Sequence, residues 1–205
     1  ALALIWGCVA GERKYCTAHE VELTGAPWLA DGESTVKSRL AVVYMLHALL
    51  RMGYGWPREA NLSQKKDDKS TFLLYPCKPL PHATLLAVSL HSYDKLRLMG
   101  TSEGVAEFEQ CVRSAVSCWQ GGAKEGQYGF SHQWTLGGWP WQHRTFDEGV
   151  SARTVVSRLL EGLLSAGARV YCTMDASGKL VRQGGSGRSR RYVSVDLDTL
   201  VFVVA

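Results

Sequence analysis

Residues 17–55 read TAHEVELTGAPWLADGESTVKSRLAVVYMLHALLRMGYG, and residues 130–169 read FSHQWTLGGWPWQHRTFDEGVSARTVVSRLLEGLLSAGAR. Each stretch is a strand-like segment, a glycine–proline–tryptophan corner and an amphipathic helix. At a constant spacing Tyr15 falls on Tyr128, His19 on His132, Leu23 on Leu136 and Gly25 on Gly138, and Pro27-Trp28 falls on Pro140-Trp141. One extra residue in the second loop shifts the spacing, and the helices then align. Val36 meets Val150, Arg39 meets Arg153, Val42 meets Val156, Leu46 meets Leu160, Leu50 meets Leu164 and Gly53 meets Gly167.

The match resumes downstream, where DDKSTFLL at residues 67–74 resembles VDLDTLVF at residues 195–202, with a large insertion in the second copy. Identities that fall on punctuating glycines and prolines, and not only on leucines, mark an internal duplication. Two long copies suit a pseudo-twofold pair better than an open solenoid. The expected fold is α+β, with duplicated strand-helix-strand-strand units forming a mainly antiparallel sheet covered by helices. Residues 1–80 form the first half, 81–126 a connecting strand-helix segment and 127–205 the second half, all within one globular body.

Within each copy the punctuation sets the elements. Val21 and Leu23 alternate with Glu20 and Glu22, as a one-sided strand does. Gly25 and Pro27 end that strand, since glycine permits a tight bend and proline restricts its predecessor. Asp31 or Ser34 is placed to cap the following helix, which stops before Gly53. A 3.6-residue period gathers Val42, Met45, Leu46, Leu49 and Leu50 on one broad face.

Strands are expected at residues 1–9, 15–23, 54–62, 71–75, 85–90, 170–174 and 192–205, the last one central or well covered. A further helix is expected at 103–119. The GGAKEG run at 121–126 reads as a flexible break, and residues 176–192 as a mobile loop rich in glycine and serine.

The chain has 205 residues, 46% hydrophobic and 20% charged, as expected for an ordinary globular protein. Its net charge of +4 establishes no nucleic-acid or lipid partner unless the basic residues cluster. No run reaches the apolar length of a membrane span. The opening ALALIW is too short for a signal peptide and lacks a basic leading segment, so an intracellular location, cytoplasmic or nuclear, is expected. The six cysteines form no CxxC pair and no zinc pattern, and they read as reduced thiols.

The chemistry-bearing candidates are few. Arg39 and Arg153 sit at matching positions beside apolar stripes, where each needs a partner or a route to water. They read as ion-paired structural residues or as paired anion contacts. Trp28, Trp139 and Trp141 at the corners read as plugs between helix and sheet or as aromatic contacts. Lys179, Arg182, Arg188, Arg190 and Arg191 make the late loop basic.

His19 and His132 recur, but a repeated histidine also serves one local hydrogen bond twice. Asp67-Asp68 and Asp196/Asp198 read as a solvated or ion-paired sheet edge. No G-x-S-x-G, H-E-x-x-H or phosphate-binding loop is present. No catalytic residue, metal ligand or cofactor is assigned.

The expected function is therefore a non-enzymatic protein-interaction or scaffold module, with a protein partner. Binding of nucleic acid or an acidic surface through residues 179–191 is the alternative, and a small enzyme with an unidentified site is a further one.

Overall fold

The computed structural model describes residues 6–7, 9–60, 71–101, 103–143, 145–175, 179–183, 191–195 and 199–204. Residues 1–5 and 8 of the strand expected over 1–9, the acidic pairs Asp67-Asp68 and Asp196/Asp198, and Arg188 and Arg190 lie outside them, and the first described strand begins only at Val9.

The first copy runs β1 (Val9–Tyr15), β2 (Ala18–Leu23), a 3-10 turn (Pro27–Leu29), α1 (Ser34–Arg51), β3 (Tyr54–Ala60) and β4 (Thr71–Pro76). Then come β5 (Thr84–His91), β6 (Lys95–Gly100), a 3-10 turn (Glu103–Phe108) and α2 (Glu109–Val116). The second copy repeats the first as β7 (Ala123–Tyr128), β8 (Ser131–Leu136), a 3-10 turn (Pro140–Gln142), α3 (Phe146–Ser165), β9 (Arg169–Met174) and β12 (Thr199–Val204). Its insertion is the hairpin of β10 (Lys179–Gln183) and β11 (Arg191–Val195).

The duplication extends to individual bonds and dihedrals. Trp6 Nε1 donates to the carbonyl of Thr24 at 2.7 Å, and Trp119 Nε1 donates to that of Gly137 at 2.8 Å, the equivalent position. Gly25 and Gly138 have φ of 75° and 82°, and Gly53 and Gly167 have φ of 88° and 91°. These left-handed conformations favour glycine over any residue with a Cβ, so the matching glycines close matching turns.

The copies differ in their sheets. In the second, an antiparallel six-stranded sheet runs β7-β8-β6-β5-β12-β9. In the first, β1–β2 and β3–β4 remain separate two-stranded sheets. The six-stranded sheet is covered on both faces. On one, α1 brings Val36, Leu40, Val43, Leu46 and Leu50 against Leu85, Ala87, Met99, Val201 and Val203. On the other, α2 and α3 bring Val112, Val116, Val155, Leu159 and Leu163 against Leu86, Val88, Leu96, Leu98, Trp134 and Phe202. Central strands covered on both faces read as continuous apolar runs, which is why TLLAVSLH lacks alternation. Full burial of each large aliphatic or aromatic side chain contributes about 1.5–3 kcal/mol.

Several local expectations change. The strand expected over residues 15–23 is the second half of a hairpin that turns at Cys16, φ 54°. The expected break at 121–126 contains the start of β7, because the chain there repeats β1. The helix expected over 103–119 opens as a 3-10 turn and is α-helical only over Glu109–Val116. The terminal apolar strand is β12 alone, flanked by β5 and β9 and therefore central.

The late basic loop is also different, since β10 and β11 pair antiparallel on either side of residues outside the described set. Neither Asp31 nor Ser34 caps α1, whose N-cap Glu33 makes no side-chain cap bond. By contrast, α3 begins with a reciprocal capping box between Thr145 and Glu148. No helix among the described residues is long and apolar enough to cross a membrane.

Candidate functional site

The two matched arginines do not share an environment. Arg39 is 2% exposed; its Nε donates to Thr199 Oγ1 and its Nη1 to the Thr35 carbonyl, both at 3.1 Å. Beside it lies Arg97 of β6, equally buried, which sequence reasoning did not single out. Arg97 donates from Nε to Gln133 Oε1 at 2.8 Å and from Nη1 to Thr35 Oγ1 at 3.1 Å, with its guanidinium 4.2 Å from the Tyr128 ring centre. Burial pulls Arg39 down to about 10, its neighbour Arg97 adds to the effect, and Asp175 opposes it. Burial lowers Arg97 too, against the opposing influence of Tyr128.

Thr35 joins the two guanidiniums, so this layer seats the first turn of α1 on the six-stranded sheet. Arg153 is exposed on α3. The face of α1 that carries Arg39 packs on the second copy's sheet, and the same face of α3 has no such cover among the described residues.

A second polar cluster forms where α2 meets the β7–β8 hairpin. His132 Nδ1 lies 2.8 Å from Glu109 Oε1, and its Nε2 lies 2.8 Å from Glu125 Oε1. Arg113 Nη2 reaches Glu109 at 2.8 Å and Glu125 at 2.6 Å. The imidazole stacks on Trp134 with centres 4.4 Å apart and planes 13° apart. The Arg113 guanidinium holds the Glu125 carboxyl below the usual carboxylate range.

Glu109, Glu125 and His132 have the donor types of a metal site, with ligand atoms within 4.8 Å of one another. Arg113, however, bonds both carboxylates, so the cluster is an ion-paired network between helix and hairpin. The first copy keeps its exposed remnant, His19 Nε2 at 3.3 Å from Glu12 Oε2. The spacing that aligns His19 with His132 also aligns Glu12 with Glu125, a signal in the sequence that pointed to the pairing.

The tryptophan corners split between core and surface. Trp141 packs into the second core and its Nε1 donates to the Lys95 carbonyl at 2.9 Å. Trp28 is 38% exposed and Trp139 51% exposed. Trp139 stacks on Tyr93 at 5.4 Å and lines an open cleft of about 670 Å³ with Trp119, Asp147, Glu148 and the paired glycines Gly121 and Gly137. The glycines let two chain segments cross at van der Waals limits, held by Gly137 N donating to the Gly122 carbonyl at 2.9 Å. Aromatic walls with a carboxylate rim suit an apolar or aromatic anchor flanked by basic groups.

Of the basic late segment, the described backbone places Arg182 opposite Tyr192 and Gln183 opposite Arg191, with Lys179 opposite Val195 at the base. Arg188 and Arg190 fall outside the described residues.

One domain-family sequence model matches residues 4–75 and 84–203, which together take in both copies. Among solved structures, a conserved kinetoplastid-specific protein from Trypanosoma cruzi is similar at 18% identity, over 60% of this chain and 95% of that one, with a TM-score of 0.33. No curated protein matches.

Proposed function

We propose that the chain, which belongs to the domain family matched at residues 4–75 and 84–203, is a non-enzymatic protein-interaction module. One observation carries this reading: Trp139 stands 51% exposed, stacked on Tyr93, in the cleft rimmed by Asp147 and Glu148. A rigid, half-covered tryptophan beside a concave surface is the kind of anchor that dominates protein–protein contacts. The two carboxylates favour a partner segment that carries Lys or Arg next to an apolar side chain. In this reading both copies and the segment between them act as one body.

The test is selection of a displayed random-peptide library on the wild-type chain. Retained peptides should combine an aromatic or aliphatic anchor with a basic neighbour, and Trp139→Ala should weaken them by about tenfold or more. Peptides that bind wild type, Trp139→Ala and Asp147→Lys equally would refute the assignment.

A second reading rests on the β10–β11 register, which sets Arg182 across from Tyr192 on a basic hairpin. An anionic partner would there be drawn by the positive charge of Lys179, Arg182 and Arg191 in the segment. Salt-sensitive binding to RNA, DNA or acidic vesicles that is lost in a Lys179/Arg182/Arg191→Ser variant supports it, and salt-independent or unchanged binding removes it.

A further inference from the structure

The two copies carry the same elements, yet only one has a whole sheet. In the second copy β8 pairs with β6 and β12 pairs with β5, so a central strand pair joins the two outer hairpins. The equivalent strands of the first copy are β2 and β4. Among the described residues no strand pairs with the outer edge of either.

Equivalent side chains record the difference. Val21 is 37% exposed where its counterpart Trp134 is 1%, Leu73 is 48% where Val201 is 0%, and Tyr75 is 53% where Val203 is 3%. The helices show the converse. Val150 and Leu164 of α3 are 45% and 49% exposed, whereas their counterparts on α1, Val36 and Leu50, are fully buried on the second copy's sheet. A pseudo-twofold arrangement relates these observations. Trp134 lies in the core under α2 and α3, and Val201 and Val203 in the core under α1. Val21 and the Leu73/Tyr75 pair therefore stand on opposite faces of a completed sheet, and α3, the counterpart of α1, would rest on the Leu73/Tyr75 face.

We propose that the first copy binds an antiparallel strand pair from a partner protein, inserted between β2 and β4, to complete a second six-stranded sheet. This surface is independent of the Trp139 cleft. The charge pattern defines the partner further. In the second copy Arg97 of β6 stands opposite Gln133 and Lys95 opposite Thr135. The first copy has Glu20 and Glu22 at the positions of Gln133 and Thr135. The incoming strand is therefore apolar on its core positions and basic at the two positions that face Glu20 and Glu22, where it shares Glu20 with Arg13 of β1, whose Nη2 lies 2.7 Å from Glu20 Oε1. Strand addition to an exposed edge supplies backbone hydrogen bonds, and such cross-strand charge pairs set register.

This chain's own residues 84–100, which form the β5–β6 hairpin, provide the probe as a synthetic peptide. Binding is followed by fluorescence anisotropy and by backbone amide exchange of the intact protein. The expected result is one peptide per chain, with new protection on β2 and β4. A peptide with Lys95→Glu and Arg97→Glu should bind about tenfold more weakly. A Glu20→Lys/Glu22→Lys protein should restore binding of that reversed peptide, which makes a folding defect distinguishable from a lost contact. Three outcomes overturn the proposal: no protection on β2 and β4 at saturating peptide, equal binding of both peptides, or protection of both edges by self-association without peptide. Loss of the Trp139 contact changes none of these readouts, so the two proposals fail separately.

Discussion

Replacing Gly137 by alanine tests whether the cleft floor is built by chain crossing. A Cβ at Gly137 would press into the carbonyl oxygen and carbon of Gly121, and one at Gly121 would meet the Gly137 oxygen at 2.5 Å and Trp119 Nε1 at 2.7 Å. These neighbours are backbone or a hydrogen-bonded ring, so relief requires the two segments to separate. Overpacking of this kind costs about 1–3 kcal/mol. Separation also strains the bond from Trp119 Nε1 to the Gly137 carbonyl, adding about 0.5–1 kcal/mol at this exposed position. The total of about 2–4 kcal/mol corresponds to a fall in Tm of about 4–16 °C for a chain of this size.

Gly126→Ala is the matched control, because a Cβ there meets nothing within 4 Å. It should lie within about 0.5 kcal/mol of wild type or slightly above it, since alanine is the better strand residue. Thermal melts by circular dichroism, with tryptophan fluorescence reporting Trp119 and Trp139, measure both variants. A Gly137→Ala protein as stable as the Gly126→Ala protein would refute the crossing.

Three further outcomes follow from the polar and sulfur sites. Arg39→Ala should cost about 2–4 kcal/mol in chemical denaturation, because it empties a buried site and strands its bonding partners, while Arg153→Ala should stay within about 0.5 kcal/mol. Equal effects would contradict the asymmetry of the helices. Glu125 has a depressed folded pKa, so its contribution is present above the ordinary carboxylate range and lost as pH falls through the folded value. Glu125→Gln should therefore reduce stability at neutral pH and flatten the acid limb of a pH–stability curve. An unchanged limb would show that the Arg113 pairing contributes nothing. Burial pushes the Cys172 thiol up to about 12, whereas Cys16 is exposed. Mass spectrometry after brief alkylation at pH 8 should find Cys16 modified and Cys172 modified only after unfolding. Native labelling of Cys172 would contradict its burial.

The duplication was legible because its punctuation is local. Gly25/Gly138, Pro27/Pro140 and Gly53/Gly167 each fix a turn through their own backbone limits, so their spacing transmits the order of elements directly. The α+β class and the antiparallel pairing followed from that order. What sequence did not reveal was set by contacts between distant segments. Arg39 and Arg153 occupy matching helical phases, yet their burial depends on which sheet lies beneath each helix. Arg97 carries no local signal of burial, because its neighbours Thr35, Tyr128 and Gln133 come from three separate elements. The Glu12/Glu125 match was visible at the same spacing as His19/His132, but the place of Glu109 and Arg113 required the packing of α2 on the hairpin.

The division between satisfied and open groups bears on function. In the two polar clusters the arginines are bonded to carboxylates or to fixed carbonyl and hydroxyl groups: Arg113 to two glutamates, Arg39 to Thr35 and Thr199, Arg97 to Gln133 and Thr35. Proton transfer or ligand capture at these places must first break those bonds. The apolar groups are distributed in the opposite way, with Trp139 and Phe146 open near the second corner and Leu73, Tyr75 and Val21 open on the first copy's hairpins. Each such side chain forgoes part of the roughly 1.5–3 kcal/mol that full burial would supply. Covering that apolar surface is the source of free energy on which the proposed binding reading rests.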